Sequence, residues 1–142
     1  MDYIDSPEHI AWLRAEGQRL LLFARAAKVP EGFANLDAQG RLPPAAVAET
    51  MNTARMTHSF ALAHIQGVPG CLALVEHGVQ ALRGPLCDAT HGGWFAHPQG
   101  QGGDDKAAYL HAFVALAASS AVVADAAGAQ GLLCLLYTSD AA

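Results

Sequence analysis

Arg55 and His58 stand three residues apart in the stretch from Met51 to Gln66, where most neighbours are apolar or small. At helical spacing Met51, Arg55, His58 and Leu62 share one face, while Met56, Phe60 and Ala63 pack in other directions. A guanidinium stays charged and presents a planar fork of donors. On a mainly apolar helix it serves either a partner carboxylate or a polyhydroxylated or anionic ligand. The plain alternative is an arginine whose stem lies along a half-buried helix and whose head reaches water.

Other chemistries find less support. His58 and His64 share a helix but fall on different faces, and His91 and His97 share a loop. No carboxylate or thiolate completes either pair, so structural histidines are expected, with no metal and no cofactor. Gly92-Gly93 and Gly100 to Gly103 lack the strand-turn-helix setting of a phosphate loop, and Ser59, Ser119 and Ser120 lack a nucleophile-elbow sequence. Asp88 and Asp104 would have to flank a sugar bond to act as a glycosidase pair; they read as loop acids. Cys71, Cys87 and Cys134 form no CxxC pair, which fits buried reduced thiols.

Helices must position these groups. Ser6-Pro7-Glu8 opens the first, with a capping hydroxyl, a proline in the first turn and an acid near the positive dipole end. It is predicted to run to Lys28, with Leu13, Leu20, Phe23 and Ala24 as its apolar stripe and Trp12 as a second buried direction. Val29-Pro30 forces its exit. The stretch from Pro30 to Pro44 is expected to be a loop, with a short hairpin around Asp37 to Gly40. Pro43-Pro44 opens the Arg55 helix, and Gly67-Val-Pro69-Gly70 closes it. A third helix, from Leu72 to Gly84-Pro85, carries two apolar stripes, one through Leu72, Val75, Val79 and Leu82 and another through Leu74, Gly78 and Ala81. Asp88 to Pro98 suggests a hairpin-like loop over the helix ends. A fourth helix runs from Lys106 to about Ala127, with Tyr109, Phe113, Leu116 and Ser120 on one face and His111, Val114, Ala118 and Val122 on another; Gly128 and Gly131 end it. After Gly131 neither a capped amphipathic pattern nor a polar tail is visible.

The 142 residues have room for one domain, and the 52% hydrophobic content is high for a free-standing unit of this size. The mean hydropathy of +0.20 points the same way. With a net charge of -5 and only 8 lysines and arginines, neither a nucleic acid nor an anionic lipid is an expected partner. The acidic start lacks a secretory pattern, so a cytoplasmic address is expected. Ala107 to Ala124 carries no formal charge, but Tyr109, His111, Ser119, Ser120 and its alanine content mark a buried helix rather than a membrane span.

Four blocks follow in order: Thr53-Ala-Arg-Met-Thr-His58, Leu74 to Leu82, Asp88 through His91-Gly-Gly-Trp-Phe95, and Lys106 to Ala121. Together they resemble the N-acylglucosamine 2-epimerase family, which includes mannose and sulfoquinovose aldose-ketose isomerases and cellobiose 2-epimerases. The resemblance implies an all-α fold, the N-terminal portion of an (α/α)6 barrel, with about four long helices in antiparallel pairs and a loop or hairpin over their ends. Residues 1–130 would belong to that domain, and residues 131–142 would be a non-native or frame-shifted tail. Faces meant for later helices would be left bare.

The implied chemistry is proton transfer at the sugar C2 through an enediol-type intermediate. The arginine of the family's RM-x-H block falls on Arg55, which would stabilise the carbonyl or enediolate oxygen as the catalytic residue. The K-x-x-Y-x-H-x-F block puts Tyr109 and His111 on the substrate-binding side. His111, on a different helical face from Tyr109, would act by packing or by orienting a neighbour, and His58 is expected to be structural. The family's acid/base histidines come from later helices, so the fragment alone is expected to be inactive. A sugar is the implied small-molecule partner, and a homo-oligomer is compatible with it. Thr57-His58 and the His91-Gly-Gly-Trp-Phe95 block favour mannose/fructose-type isomerisation; alternatives are N-acylglucosamine or cellobiose 2-epimerisation and a non-catalytic helical binding module.

Overall fold

The computed structural model describes residues 3–102 and 105–138. A 3-10 turn, Tyr3–Asp5, leads into α1 (Pro7–Arg25), followed by the short strands β1 (Lys28–Val29) and β2 (Gly32–Phe33). Then come α2 (Thr50–Ile65), α3 (Leu72–Arg83), α4 (Ala108–Val123) and α5 (Ala129–Thr138). The described residues are therefore mostly helical, with a minute antiparallel hairpin in which Lys28 faces Phe33 and Val29 faces Gly32. This is the helical content expected of part of an (α/α) barrel. No helix among the described residues is long and apolar enough to cross a membrane.

The centre is α2, which packs against both α3 and α4, while α5 packs on α3 and α4. Its inward face carries Thr50, Thr53, Ala54, Thr57, Phe60, Ala61 and Ala63, all buried. Buried hydroxyls need partners. Thr50 Oγ1 donates to the Phe95 carbonyl at 2.5 Å, Thr53 Oγ1 accepts from the Phe33 N–H at 3.0 Å, and Thr57 Oγ1 donates to the Thr53 carbonyl at 2.7 Å. The helix is thereby pinned with its other face outward. Phe33, Phe60, Val75, Val79, Leu82, Leu86, Trp94, Val114 and Leu132 are fully enclosed around it. Each such side chain contributes about 1.5–3 kcal/mol relative to exposure.

Several boundaries differ from the sequence expectations. The first helix ends at Arg25, because Ala34 N–H takes the Ala27 carbonyl and the next residues pair as β1 and β2. Around Asp37 to Gly40 the chain makes a turn in place of the expected hairpin: Asp37 Oδ1 accepts from the Gln39 and Arg41 amides, and the paired strands lie earlier, at β1 and β2. The Arg55 helix starts at Thr50, not at Pro43-Pro44: Ala48 bridges to Ala34, and Glu49 N–H donates to the Phe33 carbonyl, which holds this stretch extended. The fourth helix stops at Val123. Asp125 turns left-handed (φ 55°) and Ala126 N–H closes on the Ala121 carbonyl, so the chain breaks before Gly128. Gly131 lies inside α5 instead of ending a helix.

The expected stripe on α1 is also uncovered. No residue of α1 is buried, and Trp12 is 59% exposed. Leu13, Leu20 and Phe23 are exposed too, because no other helix among the described residues packs along this one. Nor do α1 and α2 form a packed pair. Arg25 makes the tie instead, donating to the Pro69 carbonyl at 2.9 Å. The three cysteines are free, but only Cys71 is buried, Cys87 partly so, and Cys134 is exposed.

Between α3 and α4 the chain folds back on itself, with Cys87 bridged to Trp94. Gly92 and Gly93 supply the positive φ angles, 73° and 83°, that this tight return requires. Trp94 is fully buried and donates its Nε1–H to the Leu82 carbonyl at 2.6 Å. The hairpin-like cover over the helix ends is thus present.

Candidate functional site

Since α2 buries its threonine face, Arg55 emerges on the opposite side, toward the start of α4. Its Nη2 lies 3.5 Å from the Tyr109 hydroxyl, the outer limit of a hydrogen bond. Its Cζ sits 4.7 Å above the Phe113 ring, and Tyr109 and Phe113 meet edge to face at 5.0 Å. A guanidinium over an aromatic face is held in place while its edge donors stay available. Among the described residues no carboxylate comes within ion-pair distance of Arg55. Tyr109 is 61% exposed, so both polar groups face outward together.

His58 shares the Arg55 face but is engaged. Its Nδ1 is 2.6 Å from Ser120 Oγ, and that hydroxyl already donates to the Leu116 carbonyl at 2.9 Å. With its single proton committed, Ser120 accepts, so His58 carries the proton on Nδ1 and ties α2 to α4. His111 stands apart from Tyr109. Its Nδ1 donates to the Ala107 carbonyl at 3.0 Å, and its ring meets Trp94 edge to face at 5.4 Å. His77 likewise donates to the Val29 and Gly32 carbonyls and His97 to that of Ala48. No group of three metal-ligating side chains occurs among the described residues.

A second polar cluster lies in the loop after α3. Asp88, only 7% exposed, accepts from the Thr90 and His91 amides through Oδ1 and from Lys106 Nζ at 2.5 Å through Oδ2. The hydrogen bond from Lys106, then the backbone donors, hold this carboxyl far below the ordinary carboxylate range. A carboxyl held ionised in this way does not suit the general acid of a glycosidase pair, and its oxygens are engaged by Lys106 and by the Thr90 and His91 amides, as befits a loop acid. Asp104 lies outside the described residues. Sequence spacing placed Phe113 beside Tyr109 but not beneath Arg55, and nothing local signalled that Asp88 and Lys106, 18 residues apart, would meet.

The model of the N-acylglucosamine 2-epimerase (GlcNAc 2-epimerase) family matches residues 32–139. The chain is 63% identical over 132 residues to a D-mannose isomerase from Pseudomonas cannabina pv. alisalensis, covering 92% of this chain and 32% of that protein. It is 51% identical over 129 residues to a D-mannose isomerase from Thermobifida fusca, covering 88% of this chain and again 32% of the relative. It thus spans about a third of the length of both.

Proposed function

The chain belongs to the N-acylglucosamine 2-epimerase family, and from that premise we propose that the protein carrying it is a sugar isomerase or 2-epimerase, with mannose-fructose interconversion the favoured reaction. The observation that carries this reading is Arg55: a cation without a carboxylate partner among the described residues, steadied by Phe113, beside the Tyr109 hydroxyl. The alternative of a helical binding module, in which Arg55 closes a salt bridge, finds no such partner among the described residues.

In the proposed reaction a base removes the proton from C2 of the open-chain aldose. The C–H electron pair becomes the C1–C2 double bond, and the carbonyl oxygen takes up the negative charge. Arg55 meets that oxygen with its donor fork, an interaction stronger in the transition state than before it. Proton return to C1, with the C2 hydroxyl proton passing to the oxygen on C1, yields the ketose; return to C2 from the other face restores the carbonyl at C1 and yields the epimer. Tyr109 hydrogen-bonds the polyol and its ring covers an apolar sugar face. His58 and His111 are each tied through Nδ1, to Ser120 and to the Ala107 carbonyl, and are assigned structural roles; the acid/base groups are assigned to the part of the relatives' length beyond this chain.

The test uses the full-length protein that carries this sequence, in deuterated water, with mannose, fructose, glucose and N-acetylmannosamine. Loss of the C2 proton signal from mannose, with fructose appearing, is expected; exchange confined to N-acetylmannosamine would move the assignment to the 2-epimerase. Arg55→Ala is expected to lower kcat by about 10²–10³ while leaving the protein folded. No exchange with any sugar, or an Arg55→Ala effect confined to stability, would favour the binding module.

A further inference from the structure

The loop 86–98 touches both helices of the candidate site. On one side it holds the start of α2: the Phe95 carbonyl accepts from Thr50 Oγ1, the Ala96 carbonyl from the Thr50 N–H at 2.9 Å, and His97 donates to the Ala48 carbonyl. On the other side it holds the start of α4. That helix has no cap of its own, since its N-cap is Ala107 and its first turn carries no acid. An uncapped first turn has to be fixed from outside.

Lys106, the residue before this N-cap, supplies the fixing. Its ammonium donates to Asp88 Oδ2 and to the Gly92 carbonyl at 2.7 Å, and it lies 5.0 Å from the centre of the Phe95 ring. Asp88 is itself locked by the Thr90 and His91 amides. One turn further on, His111 rests against Trp94, and a Cβ at Gly93 would come within 2.6 Å of its Nε2. Between these two points of attachment stands Tyr109, whose hydroxyl reaches Arg55 only at 3.5 Å. A small shift of the first turn would break that contact.

We propose that Asp88 and Lys106 are positioning residues for sugar turnover: their ion pair sets the first turn of α4 against the loop that also anchors α2, and so holds the Tyr109 hydroxyl beside Arg55. The role of the pair in turnover rests on the reading that Arg55 and Tyr109 face a sugar. The pair touches no reacting atom. Its effect passes through Tyr109, which binds substrate and transition state alike, so the loss on breaking it falls on KM.

The decisive variant is Lys106→Met in the full-length protein. KM for the sugar is expected to rise about tenfold with kcat nearly unchanged, the pattern of lost uniform binding. Tyr109→Phe should give a similar KM, and adding Lys106→Met to it should change little further. Lys106→Arg, which keeps a cation near Asp88, should recover most of the loss. Additive losses in the double variant, or a fall confined to kcat, would overturn the assignment. Amide hydrogen exchange supplies a readout without activity: Lys106→Met should speed exchange in residues 88–93 and 108–112 but not in 72–83. Wild-type protein that turns over no sugar would sink the isomerase reading alone. The clamp would then be judged by exchange, upheld by loosening confined to those two segments and overturned by unchanged exchange.

Discussion

At the scale of single residues, the two charges that matter are opposite cases. Arg55 is a cation without an acid partner among the described residues, exposed and steadied by an aromatic ring, which is the basis of the proposed role. Asp88 is an acid supplied with a lysine and two amides, which suits a structural anchor. Linkage makes the second case measurable. The folded-state pKa of Asp88 lies below its ordinary value of 3.8, so the stability it contributes is fully present above that value and is lost as pH falls toward the depressed one. In the full-length protein, the melting-temperature gap between wild type and Asp88→Asn should narrow between about pH 5 and pH 3. A gap that stays constant would mean that Asp88 is not anchored as described.

At the scale of elements, α2 and α3 approach each other through small side chains. Gly78 on α3 faces Thr57 on α2 so closely that a Cβ there would overlap Thr57 Oγ1, whose own proton is committed to the Thr53 carbonyl. Gly78→Ala should therefore destabilise the full-length protein by about 1–3 kcal/mol, the usual range for overpacking a filled core. Adding Thr57→Ala should recover part of it. If the urea midpoint of Gly78→Ala equals that of wild type, the close approach is not what keeps a glycine there. The same packing makes Arg55 point outward, since the buried threonines consume the other face of α2. The shared face of Arg55 and His58, and that of Tyr109 and Phe113, were legible from spacing because helical geometry is local. The contact between the two faces was not, because it depends on where α4 starts.

At the scale of the whole molecule, the chain has a filled core around α2 and an open flank along α1. Trp12, Leu13, Leu20, Leu22 and Phe23 stand exposed there, an apolar surface that a monomer rarely leaves bare. Purified by itself, the 142-residue chain should associate in a concentration-dependent way and bind hydrophobic dyes, and it should not turn over sugar. Sedimentation that finds a single monomeric species at all concentrations would contradict this. The high hydropathy of the sequence foreshadowed the exposure, but the stripe on α1 looked like any core-facing stripe. Periodicity tells which residues share a face, not what covers it.

Legible from the residues alone were the helical class, the bounds of α3 and the ordered blocks through which the family was recognised. These depend on local chemistry: side-chain period, proline and glycine geometry, and residue types in a row. Tertiary structure alone decided that α2 begins at Thr50, that α4 breaks at Asp125, that a helix forms from Ala129, that Asp88 meets Lys106 and that Tyr109 stands beside Arg55. The start of α2 and the two side-chain meetings join residues 14 to 54 positions apart. Their outcome is set by which backbone groups pair and how closely small side chains let helices approach, and neither is written in any one stretch of the chain.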